Sequence, residues 1–249
     1  MSANPLLLTS GRQIRIIHMQ HQPETPGSAT LSEEPRAALP HRGRAAAELA
    51  VLIILIEIIM WVVPFTPNPR LTYTAVALLT ALFLLICHTH DTATTRALGL
   101  RFDNFFTVLV RMAFPFIAFL GLLLIIGIQL ETLRLGRKFF TMLLSVPPWA
   151  LLQQYLLLAF VGRRFQVILG EGRGWTVATA ILFALLHLPN PVLVVACAAG
   201  GYVWARVYGR HPNLFANAVT HTFASAMLAN SLPGWLLNNM VVGYNYFLR

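Results

Sequence analysis

Apolar residues run along this chain in blocks of helical length, separated by short polar or proline-marked gaps. They do not alternate with polar ones. From residue 45 onward eight blocks can be read: Ala45–Val63, Leu71–Cys87, Phe105–Leu130, Phe139–Val161, Trp175–Leu188, Pro191–Tyr208, Leu214–Leu228 and Trp235–Leu248. An apolar run of about 20 residues spans the hydrocarbon layer as a helix, whereas a barrel strand needs alternation over about 10 residues. The pattern therefore predicts an all-α polytopic membrane helix bundle of about eight transmembrane helices. Pro64 closes the first block, and Pro147-Pro148 should break the fourth and open a new helix, because proline lacks the amide that an interior helical turn requires. In the sixth, the small residues Ala196 to Gly201 allow a neighbouring backbone to approach closely. The eighth block is interrupted by Asn238 and Asn239.

The chain ahead of the blocks is different. Residues 1–44 include Gln22-Pro23-Glu24 and Ser32-Glu33-Glu34-Pro35, and have too little apolar content to bury a core. They are expected to form a disordered cytoplasmic tail, with 45–249 as the membrane domain. Leu6-Leu7-Leu8 is too short for the apolar region of a signal peptide.

Composition agrees with the pattern. The chain is 57% hydrophobic and 11% charged, against about 25% charge in soluble domains, so it lacks the polar surface to face water all round. Its net charge of +9 lies mostly in the tail and in short loops. Positive-inside topology and anionic headgroups account for that placement better than nucleic acid does. The expected partner on this ground is membrane lipid. Of the 18 Lys and Arg, thirteen fall on one side of an eight-span arrangement and four on the other. This places both termini in the cytoplasm, at an inner or plasma membrane.

The candidate chemistry sits in polar residues inside apolar blocks. Gln153 and Gln154 are adjacent amides in the fourth block, and an amide in hydrocarbon must find hydrogen-bond partners. His187 shares a helix face with Phe183, four residues earlier. His221 lies between Asn217 and Ser225, one turn to either side. Together these suggest a polar cavity within the bundle. After Glu131 the only acid is Glu171, in a glycine loop, so an intramembrane carboxylate must come from the first block, where Glu57 stands out, free or paired with Arg111. A Ser-His-Asp arrangement lacks its acid. Were a metal bound, His187 and His221 would be the ligands, yet two imidazoles are too few for zinc. His88-His90-Asp91 reads as a solvated loop, and Cys87 and Cys197 as small buried residues. No cofactor is expected.

The order of these motifs resembles the CPBP family, the CAAX-protease and bacteriocin-processing membrane endopeptidases, over roughly residues 96 to 230, including an entry segment at Leu98-Gly99-Leu100-Arg101. That family carries E-E-x-x-x-R, then F-x-x-x-H, then H-x-x-x-N. The resemblance implies that the first glutamate and first histidine activate a water while the second histidine and the asparagine stabilise the oxyanion. Carried over, Gln153 and Gln154 take the acid positions, Phe183 and His187 match, His221 is the second histidine, Leu158 stands at the arginine and Ser225 at the asparagine. An amide cannot remove a proton from water, but a buried arginine without acids to pair would be a liability, so the changes are coordinated. The resemblance implies an intramembrane endopeptidase acting on a membrane peptide or protein C-terminus that enters from the cytoplasmic side. His187 would be base or water-holder, Gln153 the water positioner, and His221 and Ser225 the oxyanion donors. The alternative is a catalytically inactive pseudoprotease that binds membrane peptides or partners in an immunity or adaptor role. A small permease would need a coupling-ion carboxylate that blocks four to eight do not supply.

Overall fold

The computed structural model describes residues 41–248 apart from residue 92. The expected tail therefore lies almost wholly outside the described residues. Within them every regular element is a helix. The long ones are α1 (Arg42–Glu57), α2 (Pro69–Thr89), α3 (Phe105–Gln129), α8 (Pro191–Tyr208) and α9 (Leu214–Ser231). α1 runs on through a π-helical turn at Ile58–Val62 and a 3-10 turn at Val63–Phe65.

The expected break at the paired prolines is present. α4 (Arg137–Ser145) stops before them, α5 (Pro147–Gln154) starts on Pro147, and the axis bends by 47°. α5 continues through π-helical turns at Tyr155–Gly162 into α6 (Arg163–Leu169). α7 (Gly174–Leu185) is shorter than a full span. Four of the helices are long and apolar enough to cross a membrane, five if the bent α4–α6 unit is counted as one.

α9 fails that test of apolarity for a physical reason. Fourteen of its 18 residues are buried, and it packs against α3, α4 and α5. A helix enclosed by others need not be apolar all round, because its polar groups meet protein rather than lipid. α2 is the opposite case: of its residues only Cys87 is buried, and its large apolar side chains face outward as a lipid-facing helix requires.

The eighth expected span is corrected. Trp235–Leu248 is a short helix α10 (Gly234–Leu237) followed by 3-10 turns at Asn238–Met240 and Gly243–Leu248. Asn238 and Asn239 take the left-handed conformation, which stops helix propagation. This segment folds back over one end of the bundle. The Gly243 amide donates to Leu188 O at 2.8 Å, Phe65 and Tyr244 rings lie 3.9 Å apart, and Asn190 Nδ2 donates to Leu237 O at 2.8 Å. Phe65 lies beyond the end of α1 opposite Arg42.

The other end is tied by asparagines. Asn213 caps α9 by accepting from Ala216 N at 2.8 Å, and its Nδ2 donates to Arg101 O and Asn104 Oδ1. Gly99, at φ +81°, lets Leu214 N reach its carbonyl at 2.8 Å; a Cβ there would lie 3.0 Å from Asn213 N. On this end Arg163 pairs with Asp91 at 3.3 Å.

The acid that reaches the interior is Glu48, not Glu57. Glu48 is 8% exposed and takes Arg164 at 2.9 Å and Arg44 at 2.7 Å. Arg164 also lies 3.6 Å above the Phe160 ring. Glu57 forms no ion pair with Arg111 among the described residues.

Candidate functional site

Three parts of the chain deliver the expected residues to one place. α5 brings Gln153, the turn after α7 brings His187, and α9 brings His221 and Ser225; α3 and α8 supply walls. These four polar residues line a single cavity of about 510 Å³ whose remaining walls are mostly apolar, among them Met112, Phe116, Trp149 and Trp204. α3 and α4–α5 both contribute to the lining and both pack on α9. At the other extreme Met240 and Val242 of the folded-back segment join the lining.

Gln154 is not a lining residue. It is fully buried behind His221, with Nε2 3.2 Å from His221 Nδ1. One helical position thus separates an amide that faces the cavity from one that holds an imidazole. Asn217, expected in the same stripe as His221 and Ser225, is also fully buried and does not line the cavity.

The two imidazoles are held in different ways. His187 Nδ1 lies 2.6 Å from Phe183 O. A carbonyl oxygen can only accept, so Nδ1 carries the proton and Nε2 keeps its lone pair. At His221 the partner is the amide nitrogen of Gln154, which donates. There Nδ1 accepts and the proton sits on Nε2. The cavity therefore holds one imidazole able to accept a proton or a water hydrogen, and one able to donate.

The aromatic framework fixes both rings. The Phe183 ring lies edge-on to His187 at 4.7 Å and to His221 at 6.1 Å. Trp204 lies 4.8 Å from His221 at a 31° tilt, and its Nε1 donates to Thr220 Oγ1 at 3.0 Å. Trp204 and Thr220 were not singled out in the sequence. A tryptophan in an apolar run carries no signal of its own. Asn190 caps α8 through Leu193 N at 3.2 Å while fastening the segment at the cavity's end.

Leu158, where the family arginine is expected, is fully buried in an apolar cluster with Val108, Met112 and Trp204. A cation there would have no acid to meet. Among the described residues no three His, Cys, Asp or Glu side chains gather as a metal would require, and Asp91 beside His90 is engaged with Arg163. Cys197 lines the cavity and Cys87 is buried; both are free thiols.

Residues 137–227 match the family described as Rce1-like: Type II CAAX prenyl endopeptidase Rce1-like. The family resemblance read from the motifs is borne out over that stretch, which contains Gln153, Gln154, His187, His221 and Ser225. The Leu98–Arg101 segment lies outside it. No curated protein and no solved structure compared with the chain matches it.

Proposed function

We propose that this integral membrane protein is a CAAX-protease-like intramembrane endopeptidase whose cavity holds an apolar stretch of a membrane peptide or protein C-terminus. The observation that carries the reading is the pair of imidazoles of opposite hydrogen-bonding character in one apolar cavity. His187 Nε2 would take the proton of a water held by Gln153. His221 Nε2–H and the Ser225 hydroxyl would donate to the developing oxyanion, the kind of interaction that strengthens as charge builds in a dry site. The residues need no metal or cofactor for these roles.

A second reading is favoured by one specific fact. Gln153 stands where a carboxylate would share the proton, and no acid lines the cavity. A pseudoprotease that binds membrane peptides without cutting them fits the same walls. Purified protein in nanodiscs, incubated with a panel of membrane peptides beside His187→Ala, separates the two. Cleavage lost in His187→Ala supports hydrolysis. Binding without cleavage supports the second reading, and cleavage that survives the substitution removes the mechanism.

For orientation, the end of the bundle bearing Arg42, Arg96, Arg101, Arg163, Arg173 and Arg210 would face the cytoplasm. The cavity runs toward the opposite end, where Met240 and Val242 lie. On this orientation the peptide arrives from the bilayer or from the non-cytoplasmic side, rather than from the cytoplasm. Surrounding lipid would be the other partner, and the tail of residues 1–44 would remain in the cytoplasm.

A further inference from the structure

Hydrolysis needs water at His187, and the imidazole cavity offers it a poor path from the α3 side. There the walls include Phe116 and Phe119, and the residues of α3 that face outward, Phe114 and Ile117 among them, are exposed and apolar. A polar recess of about 690 Å³ lies next to the cavity, where the chain folds back. Arg134, Lys138, Asn230 and Asn239 are among its lining residues. Two side chains line both spaces: Met142 from α4 and Met240 from the folded-back segment. They stand between a polar space and an apolar one.

Methionine suits a partition that moves. It is unbranched, has three rotatable bonds, and can swing aside without its backbone. Each of the two is held by an asparagine. Asn230 Nδ2 lies 3.7 Å from Met142 Sδ, and a thioether is only a weak acceptor. Met240 is held through its backbone. Asn238, Asn239 and Met240 are three successive left-handed residues, at φ 44°, 49° and 61°. Asparagine takes this conformation readily; for methionine it is uncommon and unfavourable. The segment keeps it because Asn190 Nδ2 donates to Leu237 O at 2.8 Å and to Val241 O at 3.2 Å, on either side of the turn. The Asn190 backbone N–H donates to His187 O at 3.0 Å. One residue thus ties the strained segment to the turn that carries His187.

We propose that Met142 and Met240 form a gate that admits water from the polar recess to the imidazole cavity, with Asn190 as its latch. Breaking the Asn190 bonds lets the Met240 backbone leave the left-handed region, and relief of that strain offsets part of the lost bonding. Closed, the gate keeps bulk water from the histidines; open, it resupplies them. The gate rests on the hydrolytic reading for its purpose and not for its geometry.

Cys197, which lines the imidazole cavity, reports on the gate. The full chain in phosphatidylcholine nanodiscs is treated with 2-sulfonatoethyl methanethiosulfonate, an anion that does not cross lipid, and label at Cys197 is followed by mass spectrometry. The parent should label slowly. Met142→Ala and Met240→Ala should each label about tenfold faster or more, because the closed state loses its plug. Both side chains are half-buried, so the fold should survive. Asn190→Asp keeps the oxygen that caps α8 and loses both latch donors, and should label as fast as Met240→Ala. Leu144→Ala, at an 83% exposed position on α4 outside both linings, should label as the parent does. Methionine variants that label no faster than the parent overturn the gate, whether all are slow or all are fast. An equal rise in Leu144→Ala overturns it too, since a loosened α4 would then explain the rates. Unchanged labelling of Asn190→Asp removes the latch. A chain that shows gated labelling yet cleaves no peptide keeps the gate and loses the hydrolytic reading alone.

Discussion

Gln154 Nε2 lies 3.2 Å from His221 Nδ1, and the amide is fully buried behind the ring. An amide is a partner that cannot exchange a proton. It therefore fixes one neutral tautomer of the ring instead of charging it. Gln154→Leu keeps the volume and deletes the donor. The ring nitrogen is then buried without a partner, at a cost of about 1–3 kcal/mol. The expected result is a lower Tm in detergent and a changed ¹⁵N signature of His221, with the cavity walls otherwise intact. An unchanged imidazole signature would show that the amide does not set the tautomer.

Gln153 faces the cavity from the same helix and carries a different prediction. Gln153→Glu puts a group that can accept a proton into the cavity that His187 also lines. If the parent fails only for want of a general base, cleavage of a membrane peptide should rise by about 10²–10⁴-fold. The gain should vanish in Gln153→Glu with His187→Ala. A variant that stays silent on peptides the parent binds would place the defect elsewhere than at this amide.

The pair of Glu48 with Arg164 joins α1 to α6, with both side chains under 10% exposed. Removing one partner strands a buried charge, so Glu48→Gln should cost about 3–5 kcal/mol. Replacing both, Glu48→Gln with Arg164→Met, should recover most of that loss, because the stranded charge is gone. Thermal unfolding of the parent, Glu48→Gln, Arg164→Met and the double variant in one detergent measures the coupling. Additive losses would show that the two residues do not act as a pair.

Much of this was legible in the sequence, and the limits are physical. Period and length identify helices, and paired prolines identify a break, because both act through local backbone chemistry. Gln153, His187, His221 and Ser225 were legible as polar groups in apolar runs, where each one demands a partner. Which partner is a tertiary matter. Gln153 and Gln154 look alike in sequence, yet one lines the cavity and the other holds a histidine, since neighbours on a helix point about 100° apart. Glu57 looked like the interior acid, yet Glu48 is the one paired inside; what decided was Arg164, more than a hundred residues away. The last block failed because hydropathy does not register the left-handed turns at Asn238 and Asn239.

Asp103 gives a pH-dependent prediction outside the spans. Hydrogen bonding from Arg101, with Arg96 nearby, holds its carboxyl at about 2, below the usual 3.8. A depressed folded-state value means that its contribution is present above the unfolded value and lost as pH falls through the folded one. The Tm difference between the parent and Asp103→Asn should therefore be full above pH 4 and disappear as pH falls toward 2. The group is exposed, so added salt should shrink the difference as well. A difference that persists unchanged at the acid end would assign it to the backbone of the turn rather than to the charge.

Gly201 sits where α8 meets α7, and the helix it touches leads into the turn that carries His187. A Cβ at this position would lie 3.2 Å from Ala180 Cα and 3.2 Å from Phe183 Cδ1. The first contact is backbone and cannot rotate away, so Gly201→Ala must push the helices apart. Overpacking of this kind costs about 1–3 kcal/mol. The displacement also has a direction, because Phe183 provides both the carbonyl that His187 Nδ1 binds and the ring that touches both imidazoles. Gly201→Ala should therefore weaken peptide binding or cleavage beyond what its loss of stability explains. Gly121→Ala, on α3 with nothing within 4 Å of the added carbon, is the control that should change neither. Measuring both at a temperature well below the lower Tm separates the effect on the site from the effect on folding; equal behaviour of the two variants there would remove the link between this helix contact and the histidine.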